Sequence, residues 1–276
     1  MPGVDKSVVL VTGATDGIGL HVAQVLVSMG AQVILHGRNP QRLAAALAEV
    51  RKRGDPRRVV GMVADFTSLE QTVAMAEALN AKLTRLDILI NNAGCFNAER
   101  HMTDDGLEST FAVNHLATYL LSVRLLDLLA RSGSGRIVNT TSMIHAKKLD
   151  LQNLQGERSY HPYEAYYQSQ LCNIMFTMGY AQEAKERGVT INCLHPGVAA
   201  TKLLAAGWGG GMPVARAARN TVILATAEHL RAITGAYFLH DTLAHPETGA
   251  MDRDMQEKLL RYDAKIVGRF RPRKRS

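Results

Sequence analysis

The chain has 276 residues, 46% of them apolar and 21% charged, with a formal net charge of +7. That balance suits one large soluble domain, expected over residues 1–268, and no Pro- or Ser-rich stretch divides it. No window approaches the ~20 apolar residues of a membrane span, and three scattered cysteines (Cys95, Cys172, Cys193) exclude a disulfide framework or a zinc site.

In chain order, short β-branched runs alternate with longer amphipathic stretches. The first strand is expected over Val8–Val11 and enters a glycine-rich turn, "VTGATDGIG", before a helix over Ile18–Met29. Glycines at Gly13, Gly17 and Gly19 permit a tight turn and let backbone N–H groups approach a pyrophosphate at the helix start. Thr15, Asp16 and Ile18 belong to the same expected dinucleotide cradle. The spacing is G-x-x-x-G-x-G, and its place between strand one and helix one favours a nucleotide over a plain turn.

The second strand, Gln32–His36, ends in "HGRN", with His36, Arg38 and Asn39 where a carboxylate would bind a ribose 2′-hydroxyl. A guanidinium at Arg38, assisted by Arg42 from the helix Pro40–Arg51, suits a 2′-phosphate instead, so NADP(H) is the expected cofactor. The third strand, Val59–Val63, leads to Asp65 and Phe66, with Asp65 placed to meet the adenine edge, and then to a helix over Leu69–Leu83. The fourth, Asp87–Asn91, closes on "NNAG", which brings Asn91, Ala93 and Gly94 to adenine and ribose.

A long helix is expected over Leu107–Arg131, a strand over Arg136–Thr141, a helix over Ala165–Arg187 and a strand over Thr190–His195. A helix over Val214–His229 and a strand over Gly235–Leu239 complete the set. Continuous apolar runs such as "VVLV" and "DILI" suit strands covered on both faces. The fold class is therefore α/β: a single-domain, Rossmann-like, doubly wound parallel sheet of about seven strands, with helices on both faces. The helices over Leu107–Arg131 and Ala165–Arg187 would serve equally as ordinary core faces or as the pairing surface of a homodimer. Met1–Lys6 and Arg269–Ser276 read as tails. The latter carries five positive charges and reads as a solvated segment, with no nucleic-acid partner expected.

Together, "TGATDGIG", "ADF", "NNAG", "FAVNH", "RIVNTTS", a tyrosine-led helix and "HPGVAAT", in this order, resemble the short-chain dehydrogenase/reductase family over roughly Lys6 to Gly268. "HGRN", "NLQGE" and "LHPGVAATKL" are most similar to its retinol-dehydrogenase-like branch. Membrane members of that branch have an N-terminal anchor, none is expected here, and the expected location is cytoplasmic. The resemblance implies that Gly13, Gly17 and Gly19 hold the pyrophosphate, that Asp65 contacts adenine, and that Asn91 contacts the adenosine ribose. It implies that Asn114 helps hold a water chain, Ser142 bonds the substrate oxygen, and Tyr166 is the acid or base. Pro196, Gly197 and Val198 would flank the nicotinamide, with Thr201 bonding its carboxamide.

The stretch "EAYYQSQLCN" departs from that pattern, because Gln170 stands four residues after Tyr166 where the resemblance implies a lysine. Tyr160, Tyr163 and Tyr167 are alternative tyrosines, but none has a lysine four residues on, and no lysine lies between Lys148 and Lys185. The amide of Gln170 can bond ribose hydroxyls, but it cannot lower the tyrosine pKa as a charge does. An unassisted tyrosine with a pKa near 10 is ionised in about one molecule in a thousand at pH 7. Alcohol oxidation needs that anion, a deficit of about 4 kcal/mol, whereas carbonyl reduction needs the phenol.

The loops Cys95–Thr103, Met143–Pro162 and Lys202–Pro213 are expected to wall the substrate side. They offer Phe96, Met143, Ile144, Leu203, Leu204, Trp208 and Met212, with "GWGGGMP" as a lid. His145 and His161 read as loop histidines. The function expected is NADPH-dependent reduction of a lipophilic ketone, aldehyde or quinone. The alternatives are a non-redox enzyme (dehydration, isomerisation or cyclisation) on the same scaffold and a non-catalytic NADP(H)-binding protein.

Overall fold

The computed structural model describes residues 3–270. Eight strands form one sheet in the order β3-β2-β1-β4-β5-β6-β7-β8. They are β1 (Val8–Val11), β2 (Gln32–Gly37), β3 (Val59–Val63), β4 (Ile88–Asn91), β5 (Arg136–Thr140), β6 (Thr190–His195), β7 (Tyr237–Leu239) and β8 (Thr242–Ala244). β1 to β7 are parallel, in registers such as Val9↔Ile88 and Val9↔Val33, and β8 runs antiparallel to β7. The seven parallel strands match the expectation, and the doubly wound fold stands. β8 escapes a reading by apolar runs because it is a three-residue edge strand whose Leu243 is exposed. A two-residue turn with His240 at φ 60° folds it back onto β7.

Two apolar layers cover the sheet. On β1 the alternation is visible residue by residue: Leu10 joins one core, while Val9 and Val11 join the other. α1 (Gly17–Ser28), α2 (Pro40–Arg51) and α10 (Val214–Thr226) bury Val22, Leu43 and Val222 on the second side. α3 (Leu69–Lys82), α5 (Ala117–Arg124), α7 (Pro162–Gly179) and α11 (Arg253–Val267) bury Val73, Leu120, Ile174 and Leu259 on the first. No described helix is long and apolar enough to cross a membrane.

Three departures from the expected elements bear on the site. The stretch expected as one helix over Leu107–Arg131 is broken into α4 (Ser109–Phe111), a π-helical turn over Ala112–Leu116, α5, and α6 (Leu126–Ala130). Glu108 starts it, its carboxylate accepting from the N–H groups of Thr110 and Phe111 at 2.8 and 2.7 Å. The π turn carries Asn114 and His115 at its centre, both buried, while Val113 is only half-buried. α7 begins at Pro162, three residues before the expected start, because proline's fixed φ and missing N–H suit the first helical position. It ends at Gly179, and α8 (Ala181–Glu186) follows.

α11 belongs to none of the elements expected from apolar runs. Its inward face mixes Leu259, Ile266 and Val267 with buried Gln256 and Asp263, so its apolar signal is diluted. At the other end, Val4–Lys6 is a 3-10 turn and not a tail; the Arg58 guanidinium bonds the Asp5 carbonyl, and Arg85 Nη2 donates to the Lys6 carbonyl at 2.9 Å. The expected basic tail lies outside the described residues from 271 onward.

Candidate active site

A cleft of about 400 Å³ opens at the carboxyl ends of the strands. One wall is the turn between β1 and α1, where Gly13, Thr15, Asp16, Gly17 and Ile18 face the opening. Gly13 has φ +63°, and a Cβ there would lie 2.8 Å from the Ala93 Cα, so only glycine lets the turn lie against the end of β4. Thr12 Oγ1 holds that contact, accepting from the N–H groups of Asn92 and Ala93 at 2.9 and 3.0 Å. The first-turn amides of α1 have no partner within the helix and point out of its N-terminus. Such a cradle fits a dinucleotide pyrophosphate. Gly19 does not face the cleft: a Cβ there would sit 2.5 Å from the Gly13 carbonyl oxygen, so its role is packing of helix against turn.

His36, at the end of β2, supports the turn from below. Gly13 N–H donates to its Nδ1 at 3.2 Å, so the proton sits on Nε2, which donates to the Ala64 carbonyl at 3.0 Å. Phe66 stacks on the ring at 4.0 Å, and burial pulls the imidazole pKa down to about 4. Arg38 and Arg42 line the same end of the cleft beside Asp65 and Phe66, as expected. Asn39 is a correction: its side chain caps α2, accepting from Arg42 N–H at 2.9 Å, and it takes no part in the cleft wall. Asp16 caps α1 and pairs with Lys202 across the opening; the bond to Lys202 leads the causes that lower its carboxyl pKa.

Ala93 and Gly94 line the cleft, but Asn91 does not. The Asn91 side chain is buried under the sheet, donating to Asn139 Oδ1 at 2.9 Å and Ser122 Oγ at 3.0 Å. Strand alternation explains the correction: on β4 neighbouring side chains face opposite sides, and the next residue, Asn92, takes the wall position. Pro196, Gly197, Val198 and Thr201 line the far wall, with Thr201 also capping α9 (Lys202–Gly207).

Ser142 and Tyr166 meet at the centre. Of the four candidate tyrosines only Tyr166 faces the cleft; Tyr160 and Tyr163 donate their hydroxyls to the carbonyls of Asn97 and Gly207 at 2.9 and 2.6 Å. Trp208 packs against Tyr166 with ring centres 5.0 Å apart, and Phe96 and Tyr167 close in at 6.2 and 6.3 Å. This enclosure pushes the phenol pKa up to about 12, and a hydrogen bond with Ser142 offsets only part of the rise. Ser142 Oγ also accepts from Ile144 N–H at 3.1 Å, which fixes the hydroxyl beside Tyr166.

Two further expected site residues stand back from the cleft. Gln170 is buried one turn beyond Tyr166, and its Nε2 reaches Ser169 Oγ at 3.4 Å. Asn114 is 2% exposed with its amide fully used: Oδ1 accepts from Cys95 N–H at 2.8 Å, and Nδ2 donates to the Cys95 carbonyl and Ser169 Oγ, both at 3.0 Å. Its carbonyl accepts from Asn173 Nδ2 at 2.8 Å and Thr118 Oγ1 at 3.1 Å. Asn114 therefore ties the turn after β4 to α7, with both amide N–H groups and its carbonyl engaged.

The side of the cleft expected to take substrate is walled by Met143, Ile144, Leu203, Leu204 and Trp208, while Phe96 packs on Trp208 and Met212 against Gly197. His145 and His161 take no part in the cleft wall. Sequence reasoning missed His195, the last residue of β6. It lines the cleft with its Nε2 unpartnered, and burial lowers its pKa to about 4. Its signal was available, since the carboxyl ends of parallel strands carry the site residues of such sheets.

Residues 7–208 match the family model described as short chain dehydrogenase. The chain is 34% identical to retinol dehydrogenase 13 of Homo sapiens over 94% of this chain and 84% of that protein. It is 32% identical to retinol dehydrogenase 14 of Mus musculus over 94% and 85%. A crystal structure of an uncharacterized protein from Mycobacterium Paratuberculosis superposes with a TM-score of 0.81 at 25% identity, covering 97% of this chain and 96% of that one.

Proposed function

The chain belongs to the short-chain dehydrogenase family and is an oxidoreductase of the NAD(P)(H)-using type, and from that premise we propose that it reduces lipophilic carbonyl compounds with NADPH. The observation that carries the direction is Tyr166, a phenol held protonated by an aromatic enclosure with no cation bonded to it. Arg38 and Arg42, with no carboxylate at the end of β2, support a 2′-phosphate and hence NADP(H). The apolar wall of Met143, Ile144, Leu203 and Leu204 supports a lipophilic ketone, aldehyde or quinone. The relatives' printed names, retinol dehydrogenases, agree with a lipophilic substrate.

When bound, the reduced dinucleotide would supply a hydride to the carbonyl carbon, with Gly13, Gly17 and Ala93 holding its pyrophosphate and adenosine and Pro196 and Thr201 its nicotinamide. Ser142 Oγ–H donates to the carbonyl oxygen and fixes its direction. Tyr166 passes its proton to that oxygen as negative charge gathers there, and the phenol is the fully populated form at neutral pH. Trp208 and Leu204 keep bulk water from the transfer.

A second reading, a non-redox enzyme or an NADP(H)-binding protein without turnover, draws on one feature, the withdrawal of Gln170 and Asn114 from the cleft wall. Following NADPH consumption at pH 7 across a panel of lipophilic carbonyls, for native protein and Tyr166→Phe, separates the readings. Turnover that falls about 100-fold or more in Tyr166→Phe is expected. No consumption by the native protein, or an unaffected Tyr166→Phe, sinks carbonyl reduction by this tyrosine.

A further inference from the structure

A chain of buried hydrogen bonds runs from the last helix to the helix of Tyr166. Asp263 of α11 and His115 of the π turn are both fully buried, with Oδ2 and Nε2 2.8 Å apart. His115 Nδ1 lies 3.0 Å from Asn173 Oδ1. The Asn173 amide orientation follows from its other partner: the Asn114 carbonyl only accepts, so Nδ2 must face it, at 2.8 Å. Oδ1 therefore faces His115, whose Nδ1 must carry a proton. One proton then remains for the contact between Oδ2 and Nε2, so the pair is neutral in sum whichever atom holds it. Beyond Asn114, Nδ2 donates to Ser169 Oγ, which donates to the Tyr166 carbonyl at 2.7 Å.

The same residues hold the opposite wall, because Asn114 Oδ1 is the acceptor for Cys95 N–H. Asp263 Oδ1 is buried without a hydrogen-bond partner. A buried carboxyl with an idle oxygen is costly, and packing would be better served by a leucine there. Asp263 also lies outside residues 7–208, the segment that the family model matches.

We propose that Asp263 is a positioning residue: acting through His115, Asn173 and Asn114, it holds the turn Gly94–Cys95 and the start of α7 at the spacing that sets Tyr166 against the cleft. The proposal rests on the reductase reading only for its kinetic consequence. The geometric consequence stands without it.

The test uses the full chain with Asp263→Leu and Asp263→Asn. Leucine, with the same branching and number of side-chain heavy atoms, removes the bond to His115 Nε2, whereas asparagine can donate Nδ2–H to it. Amide hydrogen exchange is followed at Cys95 and, as a control, in β1 and β4, with NADPH affinity and carbonyl turnover measured on the same samples. In Asp263→Leu the Cys95 amide is expected to exchange about tenfold faster than in native protein with the control strands unchanged, and kcat to fall about 10- to 100-fold at nearly constant NADPH affinity. Asp263→Asn is expected to recover most of both. If Asp263→Leu leaves Cys95 protection unchanged, or speeds exchange equally in β1 and β4, or if asparagine rescues nothing, the proposal falls. If the native protein consumes no NADPH, the reductase reading falls and the exchange data alone decide on Asp263.

Discussion

Replacing Gln170 by lysine should change one direction of the reaction and leave the other alone. Tyr166 titrates near 12 in its aromatic enclosure, so at pH 7 about one molecule in a hundred thousand is ionised, a deficit of about 7 kcal/mol for any step that needs the anion. Residues four apart on a helix stand about 6 Å from each other. An ammonium at that distance, at an effective dielectric of about 20, favours the tyrosinate by about 3 kcal/mol, or about two pKa units. Alcohol oxidation with NADP⁺ at pH 7 should then rise about 100-fold, because the base is about 100 times more abundant. Carbonyl reduction should change little, since the phenol stays almost completely protonated in both proteins. The assay is initial rates in both directions from pH 6 to pH 10. Native oxidation should climb with pH throughout that range, and the Gln170→Lys curve should lie about two pH units to the acid side. Equal changes in both directions, or native oxidation that levels off near pH 7, would refute the assignment of Tyr166 as an uncharged-environment acid.

Three further outcomes follow from the site's construction. Arg38→Ala should weaken NADPH binding about 10- to 100-fold, the worth of a charge-assisted bond to phosphate, and leave NADH binding unchanged, as calorimetric titration would reveal. His36, 3% exposed, has a folded-state pKa near 4 against 6.5 in the open chain, so the unfolded state gains a proton first as pH falls. Its contribution is complete above pH 6.5 and declines toward pH 4 by about 3 kcal/mol; urea titrations should show this slope, smaller by about one proton in His36→Asn. Gly13→Ala forces a left-handed backbone and a methyl 2.8 Å from the Ala93 Cα, so stability should drop by about 2 kcal/mol or more. Cofactor binding should weaken with it, and an unchanged melting temperature would show that the turn is not appressed to β4.

Much of the cleft was legible because it is built from backbone demands. Gly13 and Gly17 announce left-handed positions, and Arg38 stands at the end of a strand that ends in the cleft. Ser142 and Tyr166 belong to motifs whose spacing survives any detail of packing. The misassigned residues are those whose motif membership said nothing about which way the side chain turns. Asn91 sits one strand position from the wall, Asn39 is consumed by a helix cap, and Asn114 is consumed by Cys95 and Ser169. His195 is the converse case, a residue outside every quoted role that the end of β6 delivers to the cleft.

Local sequence by itself determined the alternation of strand and helix, the glycine turn, the parallel sheet and the basic residues that follow β2. Each of these depends on periodicity or on the conformations one residue can adopt, which neighbours in the chain already decide. Tertiary structure alone decided how Trp208 and its neighbours raise the Tyr166 pKa, and that Asp263 meets His115 across 148 positions of chain. Those outcomes depend on burial and on partners brought together only when the sheet and its two layers close, because desolvation and hydrogen-bond geometry are properties of the packed surroundings.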